Sequence, residues 1–316
     1  MKVIIDPGKS RNILATVAIS DPYFQAWQHY ALPTWRRYCE RHDLGLVAVD
    51  AELISRDHKN WKKATWQKLL IGWELRSVLP TVENVCFLDS DILINYMAPN
   101  IFDSYDDPEK IALVSERKNL PYPSLDETLR RVAFFRHHYY DEKYPLDSSL
   151  FMSLEQLYKH QQVDVQEDYA CSGFFVFNVA NHSELLRDWF HNYDRDVESL
   201  TGGGEEPLFN YEIQSWGKLT WLDYRFHALW LYEMVWKYPF LYGWGQDNQD
   251  VIRECVEASL FTNYFLHFAG SWHESDMWKI GGVLEGSQER ERLEGFAEYL
   301  EVPVTGQPVG QIMPGS

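Results

Sequence analysis

Two carboxylates that follow a short apolar run are the first candidates for chemistry in this sequence. The run 85–88 (VCFL) is rich in β-forming residues and is followed at once by Asp89, Ser90 and Asp91. Residues two apart in an extended segment point to the same side, so Asp89 and Asp91 can face one ligand while Ser90 points away. Such a pair suits Mg²⁺ or Mn²⁺ with positions left for a substrate's phosphates. The same residues are equally typical of a solvated turn, and the tripeptide alone leaves both interpretations open.

Two further candidates lie in the second half of the chain. Glu205 and Glu206 follow three glycines and precede an apolar segment that predicts a helix. The helix dipole stabilises acidic residues in a first turn, which accounts for the pair without any catalytic role. The same dipole would keep a carboxylate ionised, as a nucleophile or a group facing a carbocation-like centre requires. His267 ends another apolar run; a lone histidine there is more often a core residue, unless it joins distant carboxylates.

Basic and small residues could position a ligand near these acids. Lys62, Lys63 and Lys68 lie near the start of a predicted helix, 62–79, that directly precedes the strand bearing Asp89. Basic residues in such places are more often solvated surface, but one of them could reach a phosphate. The strand predicted at 171–178 opens with the small residues Ser172 and Gly173, which permit close approach of a ligand.

The elements predicted around these residues indicate an α/β fold. Residues 12–19 and 46–49 are typical of buried strands, and a helix capped by Asp21 joins them, so the chain starts β-α-β. That start predicts a doubly wound, mostly parallel central sheet flanked by helices. No G-x-G-x-x-G follows the first strand, which removes the main support for dinucleotide binding. Region 95–168 gives mixed signals, and its His137–His138 pair is interpreted as part of a solvated helical insert.

Composition narrows the classes of partner. The 316 residues carry 29 Lys and Arg against 47 Asp and Glu, a formal charge of −18, which disfavours binding to nucleic acid or to anionic lipid. An anionic substrate would therefore need a local counter-charge such as a metal ion. The four cysteines form no CxxC pair and suggest neither a zinc site nor a disulfide framework. The sequence shows neither a membrane-spanning apolar run nor a signal-peptide pattern, so we expect a cytoplasmic protein.

Taken in order, four segments resemble landmarks of the GT-A glycosyltransferases, most closely family 8, which includes glycogenin and bacterial lipopolysaccharide hexosyltransferases. Residues 66–69 (WQKL) are similar to the helix whose lysine lies near the donor's sugar-phosphate, and 87–91 (FLDSD) to the D-x-D motif. Residues 172–178 (SGFFVFN) are similar to the strand beside the sugar, and 267–270 (HFAG) to the H-F-x-G turn. The resemblance spans residues 12 to about 278 and implies a GT-A, Rossmann-like fold.

The resemblance also implies roles for individual residues. Asp89, Asp91 and His267 match the positions that hold Mn²⁺ or Mg²⁺ in the family. The positions that match its donor-binding residues are Lys68, Asp89, Ser90, Ser172, Gly173 and Gly270.

The glutamate pair falls inside a fifth region of resemblance. Residues 204–210 (GEEPLFN) lie where family 8 carries G-D-Q-x-x-L-N, and they are also similar to the D/E-E-S-H-L-N stretch of family 6. The second acid of that stretch is the proposed nucleophile of family 6. Glu206 matches it and is the implied catalytic residue, with Glu205 as the alternative.

The sequence departs from the family pattern after the H-F-x-G turn. His273 stands where the family has a lysine, and the K-P-W ending is missing. The resemblance therefore does not predict how this loop would close over a diphosphate, and Lys279 is a substitute whose position the sequence leaves open.

These observations predict a metal-dependent transferase that moves a hexose from a nucleotide-diphosphate sugar, foremost a UDP-sugar, to a carbohydrate or other hydroxyl acceptor with retention of configuration. One alternative is a non-catalytic GT-A-like binding or scaffold protein, since His273 could mark a degraded site. A Mg²⁺-dependent phosphohydrolase is a weaker alternative, because it would want threonine where Leu93 stands.

We expect one catalytic domain over residues 1–300, with a nucleotide-sugar-binding half at about 12–95 and an acceptor and catalytic half at about 96–280. Residues 301–316, rich in proline and glycine, predict a flexible tail. The sequence is compatible with a homo-oligomer.

Overall fold

A computed structural model describes residues 1–141, 148–201 and 204–285. The predicted tail, 301–316, lies outside the described residues, as do two glycines of the run before Glu205. The strands are β1 (Lys2–Ile5), β2 (Asn12–Val17), β3 (Gly45–Val49), β4 (Asn84–Leu88), β5 (Ile92–Ile94), β6 (Ile111–Leu113), β7 (Phe174–Asn178), β8 (Leu219–Trp221), β9 (Ala228–Leu229) and β10 (Phe265–His267). The α-helices are α1 (Asp21–Ala26), α2 (Leu32–His42), α3 (Ala64–Gln67), α4 (Ile71–Val78), α5 (Leu125–Tyr139), α6 (Leu154–His160), α7 (Val179–Asn192), α8 (Val197–Thr201), α9 (Glu206–Trp216), α10 (Trp230–Lys237) and α11 (Gln249–Leu260).

The strands form two sheets. The larger has the order β1-β3-β2-β4-β7-β6-β8, and the smaller has the order β5-β10-β9. β4 and β5 belong to different sheets and are separated only by the turn that holds Asp89, Ser90 and Asp91. The chain therefore crosses from one sheet to the other at the two carboxylates.

Alternating side chains of the large sheet enter two hydrophobic cores. In β4, Cys86 and Leu88 pack in a core with α1, α2 and the small sheet, whereas Val85 and Phe87 pack in a core with α3, α4, α7 and α9. A sheet covered on both faces needs apolar residues at every position, which explains the unbroken apolar runs of its strands. The prediction of an α/β fold with a central sheet flanked by helices is confirmed.

The central sheet is mixed, so the expectation of a mostly parallel sheet is corrected. β2 is parallel to β3 and β4, as the β-α-β start predicts, but β7 is antiparallel to both β4 and β6. The chain leaves β6 and comes back at the same edge, where Ser115 bridges to Ala170, so β7 has to run in the opposite direction. A buried apolar strand carries no signal of its own direction, and only this return of the chain determines it.

Among the described residues, none of the helices combines the length and the apolar character that a membrane crossing requires.

Candidate active site

Asp89, Asp91 and His267 come together at the junction of the two sheets. Their potential ligand atoms all lie within 4.8 Å of one another. His267 Nε2 is 3.2 Å from Asp91 Oδ1 and 3.9 Å from Asp89 Oδ2. The histidine is buried, whereas the carboxylates keep 36% and 25% of their side-chain surface exposed. The cluster thus has a closed side, formed by the imidazole, and a side open to solvent.

Strand pairing in the small sheet explains this convergence. β10 is antiparallel to β5 in a register that pairs His267 with Ile92, the residue after Asp91. The backbone N–H of Phe268 then donates to the carbonyl oxygen of Asp91 at 3.2 Å. Because a shift of one residue would turn the imidazole to the other face, this register decides whether the histidine meets the aspartates.

The close approach of His267 to Asp89 requires glycine at position 173. Its backbone carbonyl accepts a hydrogen bond from the N–H of Asp89 at 2.8 Å. A Cβ at this position would lie 2.4 Å from His267 Cε1 and 2.8 Å from Asp89 Oδ2, which is closer than such atoms can approach. The glycine therefore lets the imidazole and the carboxylate converge, and its contact with a donor stays a prediction.

Lys68 is buried beside Asp89, and its amine is bound by oxygen atoms of the protein itself. Its amine is 2.8 Å from Glu205 Oε1 and 3.3 Å from Asp89 Oδ1, and it donates to the carbonyl of Ser172 at 3.0 Å. Lys68 and Glu205 are each only 3% exposed. Burial by itself would lower the pKa of Lys68, but the charges of Asp89 and Glu205 hold that pKa above its usual value. The amine thus ties α3 and its following turn to β4 and to the start of α9.

The two glutamates occupy different surroundings, although they are adjacent in sequence. Glu205 accepts from the hydroxyl of Ser172 at 2.5 Å in addition to binding Lys68, which leaves it committed to internal contacts. Glu206 is half-buried, and its Oε2 accepts from the backbone N–H of Ser172 at 3.2 Å. Of the pair, Glu206 is the less buried.

Burial raises the pKa of Glu206, against the effect expected of its helix. The sequence predicted that the dipole of its helix would keep the carboxylate ionised. In the structure, burial and the neighbouring charge of Glu205 raise the pKa of Glu206, and the hydrogen bond from Ser172 offsets this only in part. Desolvation of a carboxylate inside the fold thus outweighs the dipole of the helix that it begins.

Burial and neighbouring charges also shift the pKa values of the three candidate metal ligands. Burial raises the pKa of Asp89, against the influence of Lys68 and His267. Burial also acts to raise the pKa of Asp91, but the adjacent His267 imidazole keeps it below the usual range. The pKa of His267 is raised because Asp91 and Asp89 outweigh the effect of its own burial. The imidazole and the two carboxylates thus act on one another's pKa.

A divalent cation fits this set of ligands. Neighbouring ligands of an octahedral ion with bonds of about 2.1 Å lie about 3 Å apart. The separations of 3.2 Å and 3.9 Å between the imidazole and the carboxylates are close to that value. Two carboxylates and one imidazole are also a ligand set that suits Mn²⁺, which accepts both oxygen and nitrogen. The open side leaves room for further oxygen ligands.

Ser90, Gly270, His273 and Lys279 were also singled out from the sequence. Ser90 is half-buried in the turn between the two aspartates. Gly270 is exposed, with a φ of +105° that favours glycine, and an added Cβ would meet no atom within 4 Å. His273 is exposed, its ring 4.6 Å from that of Tyr140, and Lys279 is paired with Asp276 at 2.6 Å on the surface. The geometry gives neither of the last two a place in the cluster.

Lys62, which the sequence analysis grouped with Lys68, makes hydrogen bonds within the fold instead of facing the candidate site. Its buried amine donates to the carbonyl oxygens of Asn60, Phe190 and Tyr193 at 2.7–3.0 Å. Burial lowers its pKa to about 8. The lysine thus closes the loop before α3 onto the end of α7.

Sequence reasoning missed two residues beside the cluster. His227 is buried, and its Nε2 lies 2.8 Å from His267 Nδ1. Glu116 follows β6 on the edge that holds Ser172, and burial, together with the charge of Glu206, raises its pKa to about 8. Each is a chemically capable residue at a strand end, but nothing in the local pattern distinguishes it from other polar residues in such places.

A cavity of about 280 Å³ lies farther along the same sheet edge. It extends between the loop after β6 and the end of β8, and Asp168, Trp221 and Tyr224 are among its lining residues. The combination of aromatic surface with acidic and amide groups is one that binds polyhydroxylated molecules.

Comparison with known proteins finds similarity only among solved structures. No protein-family model and no curated protein matches the sequence. A glycosyltransferase involved in the glycosylation of the major capsid of PBCV-1 is 10% identical, with 90% of this chain and 99% of that chain covered and a TM-score of 0.47. The galactosyltransferase LgtC in complex with donor and acceptor sugar analogs is 10% identical, with 91% and 96% covered and a TM-score of 0.47.

A third structure is the WbbM bifunctional glycosyltransferase in its apo form. It is 13% identical, with a TM-score of 0.46 over 92% of this chain, which spans 53% of the WbbM chain. Identities of 10–13% and TM-scores of 0.46–0.47 assign no function to this chain.

Proposed function

We propose that this protein is a metal-dependent GT-A glycosyltransferase that moves a hexose from a nucleotide-diphosphate sugar, foremost a UDP-sugar, to a hydroxyl acceptor. The observation that carries the proposal is the cluster of Asp89, Asp91 and His267, whose ligand atoms lie within 4.8 Å of one another. Glu206 is linked to the cluster through two neighbouring residues: it accepts from the N–H of Ser172, and the carbonyl of Gly173 accepts from the N–H of Asp89. The proposed cation site would thus have close to it a carboxylate that could act on a sugar.

Asp89, Asp91 and His267 would hold Mn²⁺ or Mg²⁺. When bound, the ion would supply Lewis-acid stabilisation of the charge on the departing diphosphate. Lys68 would keep Asp89 in place and add positive charge next to the donor site. Ser90, Ser172, Gly173 and Gly270 are the proposed donor contacts.

Glu206 is the proposed catalytic residue. Its hydrogen bond from the Ser172 backbone orients the carboxylate, and its half-buried side chain would face the anomeric carbon of the donor. A carboxylate there would stabilise or attack a carbocation-like centre, which is consistent with transfer that retains configuration. Glu205 serves instead as the partner of Lys68, so it is the weaker of the two candidates.

We keep the division of the chain into two halves as part of the proposal. Lys68, Asp89 and Asp91 would belong to a nucleotide-sugar-binding half at about 12–95. Glu206 and His267 would belong to an acceptor and catalytic half at about 96–280. The cavity bounded by Trp221 and Tyr224 lies in the second half and is the proposed acceptor side, where an aromatic face can pack on a sugar ring.

The proposal is tested by thermal unfolding with UDP, GDP, CDP, ADP or dTDP, each with and without Mn²⁺. A ligand at about a hundred times its dissociation constant adds about 2.7 kcal/mol of stability, which raises the midpoint by several degrees. We expect one nucleotide, foremost UDP, to raise the midpoint only when Mn²⁺ is present. A folded protein that none of the five stabilises would contradict the proposal, and stabilisation that ignores the metal would contradict its metal dependence.

Exchange of Glu206 for glutamine tests the catalytic assignment. We expect Glu206→Gln to lower kcat for donor turnover by about 100-fold or more, because it removes a charge that acts on the transition state while preserving the shape of the side chain. Affinity for Mn²⁺ should stay unchanged, since Glu206 is not one of the proposed metal ligands. Steady-state kinetics and a Mn²⁺ titration measure the two quantities. A wild-type kcat in this variant would move the catalytic role to another residue.

A further inference from the structure

A second buried histidine contacts the proposed metal ligand from behind. The Nε2 atom of His227 lies 2.8 Å from the Nδ1 atom of His267, and both residues are 2% exposed. Their ring centroids are 4.9 Å apart and their planes differ by 21°. Because the nitrogens are much closer than the centroids, the rings meet edge to edge, as an in-plane hydrogen bond requires.

Parallel pairing of β9 and β10 holds this contact in register. Leu229 pairs with His267 and Ala228 with Leu266, and His227 immediately precedes that short strand. The His227 ring also packs near Phe174, with centroids 5.4 Å apart and planes at 25°. The second histidine is thus positioned by the sheet and by the core, and it does not depend on the metal for its place.

The chemistry of imidazole gives this contact a consequence. His267 directs Nε2 toward Asp91 and Asp89, and a nitrogen that binds a metal must offer a lone pair. The ring proton then resides on Nδ1 and needs an acceptor, because an unpaired buried N–H is costly. The two acceptors near it are His227 Nε2 at 2.8 Å and the sulfur of Cys171 at 3.6 Å. A ring nitrogen is the stronger acceptor, since a thiol sulfur accepts only weakly.

We propose that His227 is a positioning residue, which accepts the Nδ1–H of His267 and thereby keeps Nε2 of His267 facing Asp89 and Asp91. This inference rests on the proposed function, because it concerns the same metal site. It assigns to His227 a role that no motif in the sequence indicates. Partners of this kind orient a ligating histidine and fix its tautomer, and their loss weakens metal binding.

The test compares Mn²⁺ affinities, measured by electron paramagnetic resonance of the free ion. We expect His227→Phe to weaken binding about 10- to 100-fold, since it keeps the ring and removes the acceptor. His227→Gln restores an acceptor oxygen at about the position of Nε2 and should bind within about threefold of wild type. His182→Phe is the matched control, because His182 is also a buried histidine but lies in α7. Its affinity for Mn²⁺ should equal that of the wild type.

The tautomer can be read directly in the wild-type protein. Long-range ¹H–¹⁵N spectra with Mg²⁺ bound should show His267 protonated at Nδ1 alone, whatever the stability of the variants. Protonation at Nε2 would overturn the inference, as would a folded His227→Phe protein that binds Mn²⁺ like the wild type. Equal weakening by phenylalanine and glutamine would also overturn it, since the role would then be one of packing. Failure of the wild-type protein to bind Mn²⁺ would instead contradict the proposed function.

Discussion

Replacement of Asp91 by asparagine is expected to lower the affinity for Mn²⁺ by roughly 100-fold or more, because even the loss of an outer partner of a metal ligand costs 10- to 100-fold. Metal-dependent donor turnover should be lost with it. Asparagine keeps the shape of the side chain but removes the negative charge that lies 3.2 Å from His267 Nε2. With that charge gone, Asp89 is the only carboxylate left in the cluster to attract a divalent ion. Titration with Mn²⁺ and assays of donor hydrolysis measure both effects.

Asp250→Asn is the matched control for this exchange. Asp250 is 82% exposed in the first turn of α11, pairs with Arg253 and is not one of the proposed ligands. Its Mn²⁺ affinity and turnover should equal those of the wild type. An Asp91→Asn protein that binds Mn²⁺ within threefold of the wild type would show that the cluster is not the metal site.

Replacement of Lys68 by methionine is expected to cost about 3–5 kcal/mol of folding free energy at neutral pH, as is typical when one partner of a buried ion pair is removed. Lys68 and Glu205 are each 3% exposed and 2.8 Å apart, so the exchange leaves the Glu205 carboxylate in the interior without its cation, with the Ser172 hydroxyl as a polar partner. The midpoint and slope of a urea transition measure the loss. A loss below about 1 kcal/mol would place this pair with the weak surface ion pairs.

The double variant Lys68→Met, Glu205→Gln tests whether the unpaired charge of Glu205 causes the loss of stability. Glutamine removes the unpaired charge, so the double variant should be more stable than Lys68→Met alone by at least about 1 kcal/mol, a coupling energy typical of contacting residues. Lys159→Met is the control, because Lys159 pairs with Glu155 on the surface of α6, where the two are 67% and 65% exposed. That exchange should cost less than about 0.5 kcal/mol. Additive effects of the two site exchanges would mean that the pair does not act as a unit.

The exchanges of Lys68 and of Asp91 both change the surroundings of Asp89. Asp89 receives the amine of Lys68 at 3.3 Å on one side and faces the imidazole of His267 on the other. Loss of Lys68 should therefore also disturb the metal site, whereas loss of Asp91 should leave the Lys68–Glu205 pair intact. Comparison of Mn²⁺ affinity and of stability in both variants separates binding from folding.

Several features of the site were determined by the sequence alone. Apolar runs of the right length predicted β4, β7 and β10, and the polar residues that end or open them are Asp89, Ser172 and His267. Because strand ends and helix starts depend mainly on neighbouring residues, these positions could be read from local patterns. The acidic composition likewise disfavoured nucleic acid as a partner on grounds of charge alone.

Only the tertiary structure decided how these ends meet. The reversed direction of β7 brings Ser172 and Gly173 to Asp89, and the register of β10 on β5 brings His267 to Asp91. Neither is encoded in the residues of the strands themselves, since a buried apolar strand is compatible with either direction and register follows from packing. The contacts of Lys68 with Glu205 and of His227 with His267 join residues far apart in the chain, and no local pattern predicts which distant groups a folded core brings together. The sequence thus determined which residues could do the chemistry, and the packing of the two sheets determined which of them can do it together.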